Sequence, residues 1–228
     1  MMFLQEKRTG NIKGRASAYV QPQRKTSQKG GMSAPTVETE LVLITTCIDA
    51  MENCDVAIAD VHRAFLTEHI YKEVHMLLDD EMADEMQRIF PKQYAKYVFK
   101  NKNSKIMIYV GLNKAVYGCL RVALLFYQKL QKELVDHGFV INNYGPCIAN
   151  NLVEVIKITL TWHVDDLKIS HKNPDKVTNL LTHLLKVCGE KFPVSHGRKH
   201  TYLGMYLDFS TPGVVKVLMK SYVRDILE

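Results

Sequence analysis

The stretch Thr161-Trp-His-Val-Asp165-Asp166-Leu-Lys-Ile-Ser170 decides how this chain is read. Residues 155 to 164 have strand character and Leu167 to Ser170 resume it, so the two aspartates fall at the turn of a β-hairpin. A second apolar strand, Cys54-Asp-Val-Ala-Ile-Ala-Asp60, ends on another aspartate, with Val56 and Ile58 alternating with smaller residues. If these strands are neighbours in one sheet, three carboxylates converge at its edge. Carboxylates brought together repel one another, and a bound cation is the natural resolution. Nucleotidyl transfer needs such a site, because two divalent metals clamp the attacking and leaving oxygens. Mg²⁺ takes oxygen ligands and keeps several waters, so two or three carboxylates on a rigid platform suffice. Aspartate at a turn or after a strand is also ordinary turn chemistry, and the spacing alone leaves both readings open.

Working outward, Val37, Leu41, Ile44, Ile48 and Met51 recur at helical spacing behind Pro35, with Glu38 and Glu40 in the first turn. Residues 79–100 are charged and partly helical, broken at Pro91, and Lys105 to Val110 reads as a strand. Leu120, Ala123, Leu124, Tyr127, Leu130 and Leu134 mark a long helix that Gly138 closes. After the central hairpin, Asn173-Pro174-Asp175 starts a helix whose apolar face is Val177, Leu180, Leu181, Leu184 and Leu185. Tyr202 to Phe209 and Val214 to Met219 read as a second hairpin turning at Ser210-Thr-Pro-Gly213, followed by a helix start. Hairpins mixed with helices, without strict βαβ alternation, predict an α+β fold with an antiparallel sheet backed by helices.

Composition agrees with a globular chain: 228 residues, 46% hydrophobic and 24% charged. No apolar run approaches the roughly 20 residues that span a bilayer, and the N-terminus has no signal-peptide core. Neither a membrane association nor secretion is expected. The five cysteines are an odd number without a C-x-x-C pair, which fits reduced thiols in the cytoplasm or nucleus. The net charge of +6 is concentrated: residues 1–31 carry seven Lys or Arg against Glu6 alone. Such a basic arm suits a polyanion, since each neutralised phosphate releases counterions. The expected organisation is a basic, partly flexible arm over 1–35 and a core over 36–228.

The residues around the aspartates resemble one family. Asp60-Val-His-Arg-Ala-Phe65-Leu66 is similar to the D-[IV]-x-x-A-F-L segment of copia-type retrotransposon reverse transcriptases. Lys114-Ala-Val-Tyr-Gly-Cys-Leu-Arg-Val-Ala-Leu-Leu-Phe126-Tyr127 resembles their K-x-L-Y-G-L-K-Q-x-P-R-x-W helix. Gly138-Phe139 with Tyr144-Gly-Pro-Cys147 resembles G-F…D-x-C, and Trp162-His-Val-Asp-Asp-Leu167 resembles Y-V-D-D-[ML]. Tyr202-Leu-Gly-Met205 matches the [FY]-L-G-[MI] of the primer grip, and Lys13-Gly-Arg15 the K-x-R of the fingers. Six segments in the family's order cover roughly residues 11–227.

The resemblance implies a reverse-transcriptase palm and fingers, ending before the thumb and RNase H, with residues 1–35 as arm or fingers remnant. It implies an RNA-directed DNA polymerase that adds dNTPs to a primer 3′-OH on an RNA template, with a DNA or tRNA primer and two Mg²⁺ ions (or Mn²⁺). Asp60, Asp165 and Asp166 would be the catalytic metal ligands. Phe65 would lie under the sugar of the incoming nucleotide, and Lys13 and Arg15 would hold its triphosphate. Arg121 would contact the nucleotide, and Leu203 and Gly204 would form the primer-grip turn. The departures are Arg121 where the family usually has Gln, His62 and Arg63 beside Asp60, and Ala123 and Phe126 where Pro and Trp are usual. They keep a second reading open, a polymerase-like module that binds nucleic acid without catalysis.

Overall fold

The computed structural model describes residues 2–6, 12–16, 33–61, 75–113, 122–153, 155–188 and 193–227. In chain order the elements are β1 (Met2–Glu6), β2 (Ile12–Ala16), helix α1 (Thr39–Met51) and β3 (Asp55–Asp60). Then come β4 (His75–Asp79), α2 (Asp80–Ile89), the short α3 (Pro91–Tyr94), β5 (Val98–Lys100), β6 (Ile106–Gly111) and α4 (Val122–Asp136). The rest is β7 (Val140–Ile141), β8 (Ile148–Val153), β9 (Ile156–His163), β10 (Asp166–His171), α5 (Pro174–Cys188), β11 (Val194–Gly197), β12 (Lys199–Tyr202), β13 (Met205–Asp208), β14 (Lys216–Leu218) and α6 (Lys220–Leu227). All pairings are antiparallel. Helices and antiparallel sheets in one chain are the expected α+β class.

By its contacts the chain groups into two compact units, residues 1–27 with 68–122, and residues 28–67 with 123–228. This grouping follows contacts, whereas the expected division at residue 35 followed composition. In the first unit β1 pairs with β2, and β4, β6 and β5 form a three-stranded sheet. Helix α2 covers one face of that sheet through Leu78, Ala83 and Ile108, ringed by Met82, Met86 and Val98 among others. Along β6 the side chains alternate, so Ile108 is buried while Tyr109 is exposed on the opposite face.

The second unit is built on a six-stranded sheet in the order β11-β3-β10-β9-β8-β7. Its middle strands are covered on both faces, which is why Val56, Ala57, Ile58 and Ala59 are all buried instead of alternating. Leu167 faces Trp162 across the β10–β9 ladder, and Trp162 packs on Tyr127 of α4 with ring centroids 6.0 Å apart. Helix α5 joins α4 on that face, since His137, just past α4, stacks on His183 at 4.2 Å. The next pair along the ladder, Lys168 and Thr161, points to the other face.

Helix α1 covers that other face, and it does so with an unexpected side. Of the apolar residues that recur at helical spacing, Val37 lies just before the helix and is buried, and Leu41, Ile44, Ile48 and Met51 lie along it. In the structure Val42, Thr45, Thr46, Asp49 and Ala50 are buried, while Ile44 is 54% and Met51 74% exposed. The cause is the sheet surface, which carries Lys168, Thr161 and Thr159 in that layer. This polar strip, beside Val56 and Ile58 on β3, meets the helix side that carries Thr45, Thr46 and Asp49 together with Val42 and Ala50. Thr45 and Thr46 satisfy their hydroxyls by donating to the carbonyl of Val42, at 3.0 and 2.7 Å.

The C-terminal meander differs from expectation in one respect. The span from Tyr202 to Phe209 is not one strand: it breaks at Leu203-Gly204, so that Tyr202 pairs with Met205 and β12 and β13 form their own hairpin. Strand β14 adds to β13, and α6 follows it, as the helix start at the end of the sequence suggested.

Candidate active site

Three strands bring the aspartates together. Asp60 closes β3 and is the direct ladder partner of Asp166, the first residue of β10. Asp166 is in turn the partner of His163, the last residue of β9. His163, Asp166 and Asp60 therefore form a row across one end of the sheet, each half-buried. Direct partners on one face have Cβ atoms about 5 Å apart, and like charges so placed are destabilising by up to about 1 kcal/mol. Asp60, Asp165 and Asp166 all take part in further polar interactions.

Backbone hydrogen bonds fix this end of the sheet. The N–H of Val61 donates to the carbonyl of Asp165 at 2.9 Å, and the N–H of Asp60 donates to that of Pro193 at 3.3 Å. The β9–β10 connection is the two-residue turn Val164-Asp165, so the aspartate pair of the sequence is split: Asp165 lies in the turn and Asp166 in the strand. Val164 has φ +58°, a left-handed conformation that a β-branched residue adopts only at a cost of roughly 1–3 kcal/mol. The chain holds that strain at the turn that presents Asp165. The Nδ1 of His163 is buried without a hydrogen-bond partner among the described residues.

The donors suit a hard divalent cation. Mg²⁺ is commonly held by one or two carboxylates together with waters and substrate phosphates, and Asp60 beside Asp166 supplies that pair. Among the described residues no group of three or more His, Cys, Asp and Glu side chains is drawn round one point. The fit therefore rests on two neighbouring carboxylates, with Asp165 adjacent through the turn.

The other expected site residues fall in different places. Leu203 and Gly204 form the tip of the β12–β13 hairpin with φ +49° and +77°, both left-handed, the pattern of a type I′ turn. The phenol of Tyr202, just before that tip, donates to the carbonyl of Thr161 on β9 at 3.5 Å. Burial, with the charge of Asp166 second, pushes this phenol far above the usual tyrosine range. The hairpin tip is thus anchored beside the carboxylate row. Lys13 and Arg15 lie on β2, opposite Gln5 and Phe3, in the first unit. Phe65, Arg121, His62 and Arg63 lie outside the described residues.

Two features were not found from the sequence. Lys168 and Asp49 form an ion pair with side chains only 1% and 3% exposed, joining β10 to α1 directly behind the carboxylate row. The available signal was a lysine inside the apolar run Leu167-Lys-Ile169. The second is an exposed aromatic stack in the first unit, Phe99 on Tyr109, at 5.4 Å and 12° between planes. Lys96, Lys100 and Lys102 are exposed near it in the sequence, and Lys96 lies over the ring of Tyr97.

Comparison with known proteins bears on these arrangements. The family model described as "Reverse transcriptase (RNA-dependent DNA polymerase)" matches residues 4–228. No curated protein matches the chain. Among solved structures the chain is similar to telomerase from Candida tropicalis in complex with a fragment of telomeric RNA. That match has 14% identity and a TM-score of 0.39, and covers 89% of this chain and 36% of the other. This chain thus corresponds to about a third of the telomerase chain it matches.

Proposed function

The chain belongs to the reverse transcriptase (RNA-dependent DNA polymerase) family, of copia type, and we propose that it is the polymerase segment of a retrotransposon polyprotein. In this reading it extends a primer 3′-OH with dNTPs along an RNA template, with Asp60, Asp165 and Asp166 holding divalent metal. The observation that carries it is the register in which Asp60 faces Asp166 while Val61 is bonded to Asp165. Asp60, Asp165 and Asp166 would hold two Mg²⁺ ions, which would supply Lewis acidity toward the primer hydroxyl and the phosphoryl oxygens.

The chain's own residues supply rigidity and placement. Asp60 and Asp166 are fixed by adjacent strands of a buried sheet, so little reorganisation is needed for them to receive cations. The Leu203-Gly204 turn, anchored through Tyr202, is proposed to hold the primer 3′ end through its backbone. Phe65 is proposed to sit under the sugar and to disfavour a 2′-hydroxyl. The Phe99–Tyr109 stack, with exposed lysines 96, 100 and 102 close by in sequence, suits unpaired bases, which stack on aromatic rings beside basic side chains.

Primer extension on an RNA template with Mg²⁺ or Mn²⁺ tests the reading. The expected result is extension by the wild type and its loss in Asp60→Asn and Asp166→Asn. Extension unaffected by both substitutions would refute the site. RNA binding without extension in any variant would favour the second reading, a nucleic-acid-binding module without catalysis.

A further inference from the structure

Lys168 sits two residues beyond Asp166 on the same strand, and side chains at that spacing share one face of the sheet. Its ladder partner on β3 is Ile58, so Asp60 is its diagonal neighbour, at a separation of about 7–8 Å that long side chains span. The ammonium is therefore within a rotamer change of both carboxylates of the row. In the structure it points instead into the interior and pairs with Asp49 on α1. The surroundings on that side are Ile58, Thr161 and the inward residues of α1, Thr45 and Thr46. Asp49 is the carboxylate that meets the ammonium there.

We propose that Asp49 is a positioning residue for the active site: by binding Lys168 in the interior it keeps that ammonium from neutralising Asp60 and Asp166. The inference rests on the metal-site reading above. A cation bound between Asp60 and Asp166 competes with any other positive charge that can reach them. A lysine ammonium on the same face is such a competitor, and it is covalently tethered, so its effective concentration is high. Pairing with Asp49 removes it from competition. A purely structural ion pair, by contrast, would affect stability and leave metal affinity unchanged in every variant that folds.

Binding of Mn²⁺ alone, read by electron paramagnetic resonance on protein shown to be folded by circular dichroism, separates these roles. The variants are Asp49→Asn, Lys168→Met, the double Asp49→Asn/Lys168→Met, and Asp60→Asn. Asp49→Asn leaves the ammonium without its partner and should weaken Mn²⁺ binding about tenfold or more. The double variant, which has no ammonium to release, should bind within about threefold of the wild type. Lys168→Met should bind at least as tightly as the wild type. Wild-type affinity in a folded Asp49→Asn overturns the proposal, as does a double variant as weak as Asp49→Asn. If Asp49→Asn does not fold, Asp49→Ser, which removes the same partner charge in a smaller side chain, is read by the same criterion. A wild type that binds no Mn²⁺, or binds it no better than Asp60→Asn, overturns the metal site itself and this inference with it.

Discussion

Replacing Asp166 by asparagine should make the metal-free protein more stable and the metal-loaded protein less stable than the wild type. Asp60 and Asp166 are direct partners in an antiparallel ladder, which sets their Cβ atoms about 5 Å apart. Two unit charges at that distance repel by roughly 0.8 kcal/mol in water and roughly 3.3 kcal/mol at an effective dielectric of 20. Half-buried residues lie between these limits, and cross-strand like-charge pairs cost up to about 1 kcal/mol, so a gain of about 1 kcal/mol is expected in EDTA. For a chain of this size that is roughly 2–4 °C in melting temperature. Magnesium should reverse the order, since the proposed site holds it through both carboxylates. At 100 times its dissociation constant it stabilises the wild type by about 2.7 kcal/mol, and the variant, lacking one of two carboxylates, gains far less. Urea unfolding followed by circular dichroism, in EDTA and in MgCl₂, measures both differences. Equal or lower stability of Asp166→Asn in EDTA at unchanged m-value would refute the reasoning, and so would an equal gain from magnesium in both proteins.

The remaining predictions concern the turn, the thiols and the core. Leu203→Gly relieves a left-handed leucine and should raise stability by up to about 1 kcal/mol while lowering primer extension; a melting temperature below wild type would contradict this. Burial pushes the thiols of Cys54 and Cys147 up to about 11 and about 12, from an ordinary value of 9.0. Between about pH 9 and 11 the unfolded chain therefore loses thiol protons that the folded chain keeps, and stability falls as pH rises. Cys147→Ala should lose stability less steeply than the wild type across that window, by about 1.4 kcal/mol per pH unit at most, and parallel curves in urea titrations would sink the idea. Trp162→Ala removes a ring 1% exposed and packed on Tyr127, and should cost about 3–5 kcal/mol. Trp162→Phe should cost much less, because the indole N–H has no hydrogen-bond partner among the described residues; thermal melts of the two distinguish them.

The placement of the candidate carboxylates was legible before the fold. The carboxylate positions followed from short-range signals: apolar runs of strand type, each ending on aspartate, and turn chemistry between two of them. The helices after Pro35, before Gly138 and after Asn173 were legible for the same reason, because caps and 3.6-residue spacing act within a few residues. The inward side of α1 was not legible. Its apolar stripe argues for Leu41, Ile44 and Ile48, but the surface it meets comes from β9 and β10, more than a hundred residues later, and is polar. The strand pattern ran Tyr202 to Phe209 together, because a leucine at φ +49° has no local signature; the turn at Leu203-Gly204 was legible only through the family resemblance.

By itself the sequence determined which residues could form the site, since strand endings, turn residues and ordered motifs are local properties of the chain. Tertiary structure decided which of those residues face one another. Strand register set Asp60 opposite Asp166 and left Asp165 in the turn, and helix packing sent the charge of Lys168 inward to Asp49. Both depend on long-range pairing, where a shift of one residue would send every side chain to the other face. No local pattern encodes that choice; it is made by burying the largest apolar area compatible with pairing the few charges left inside.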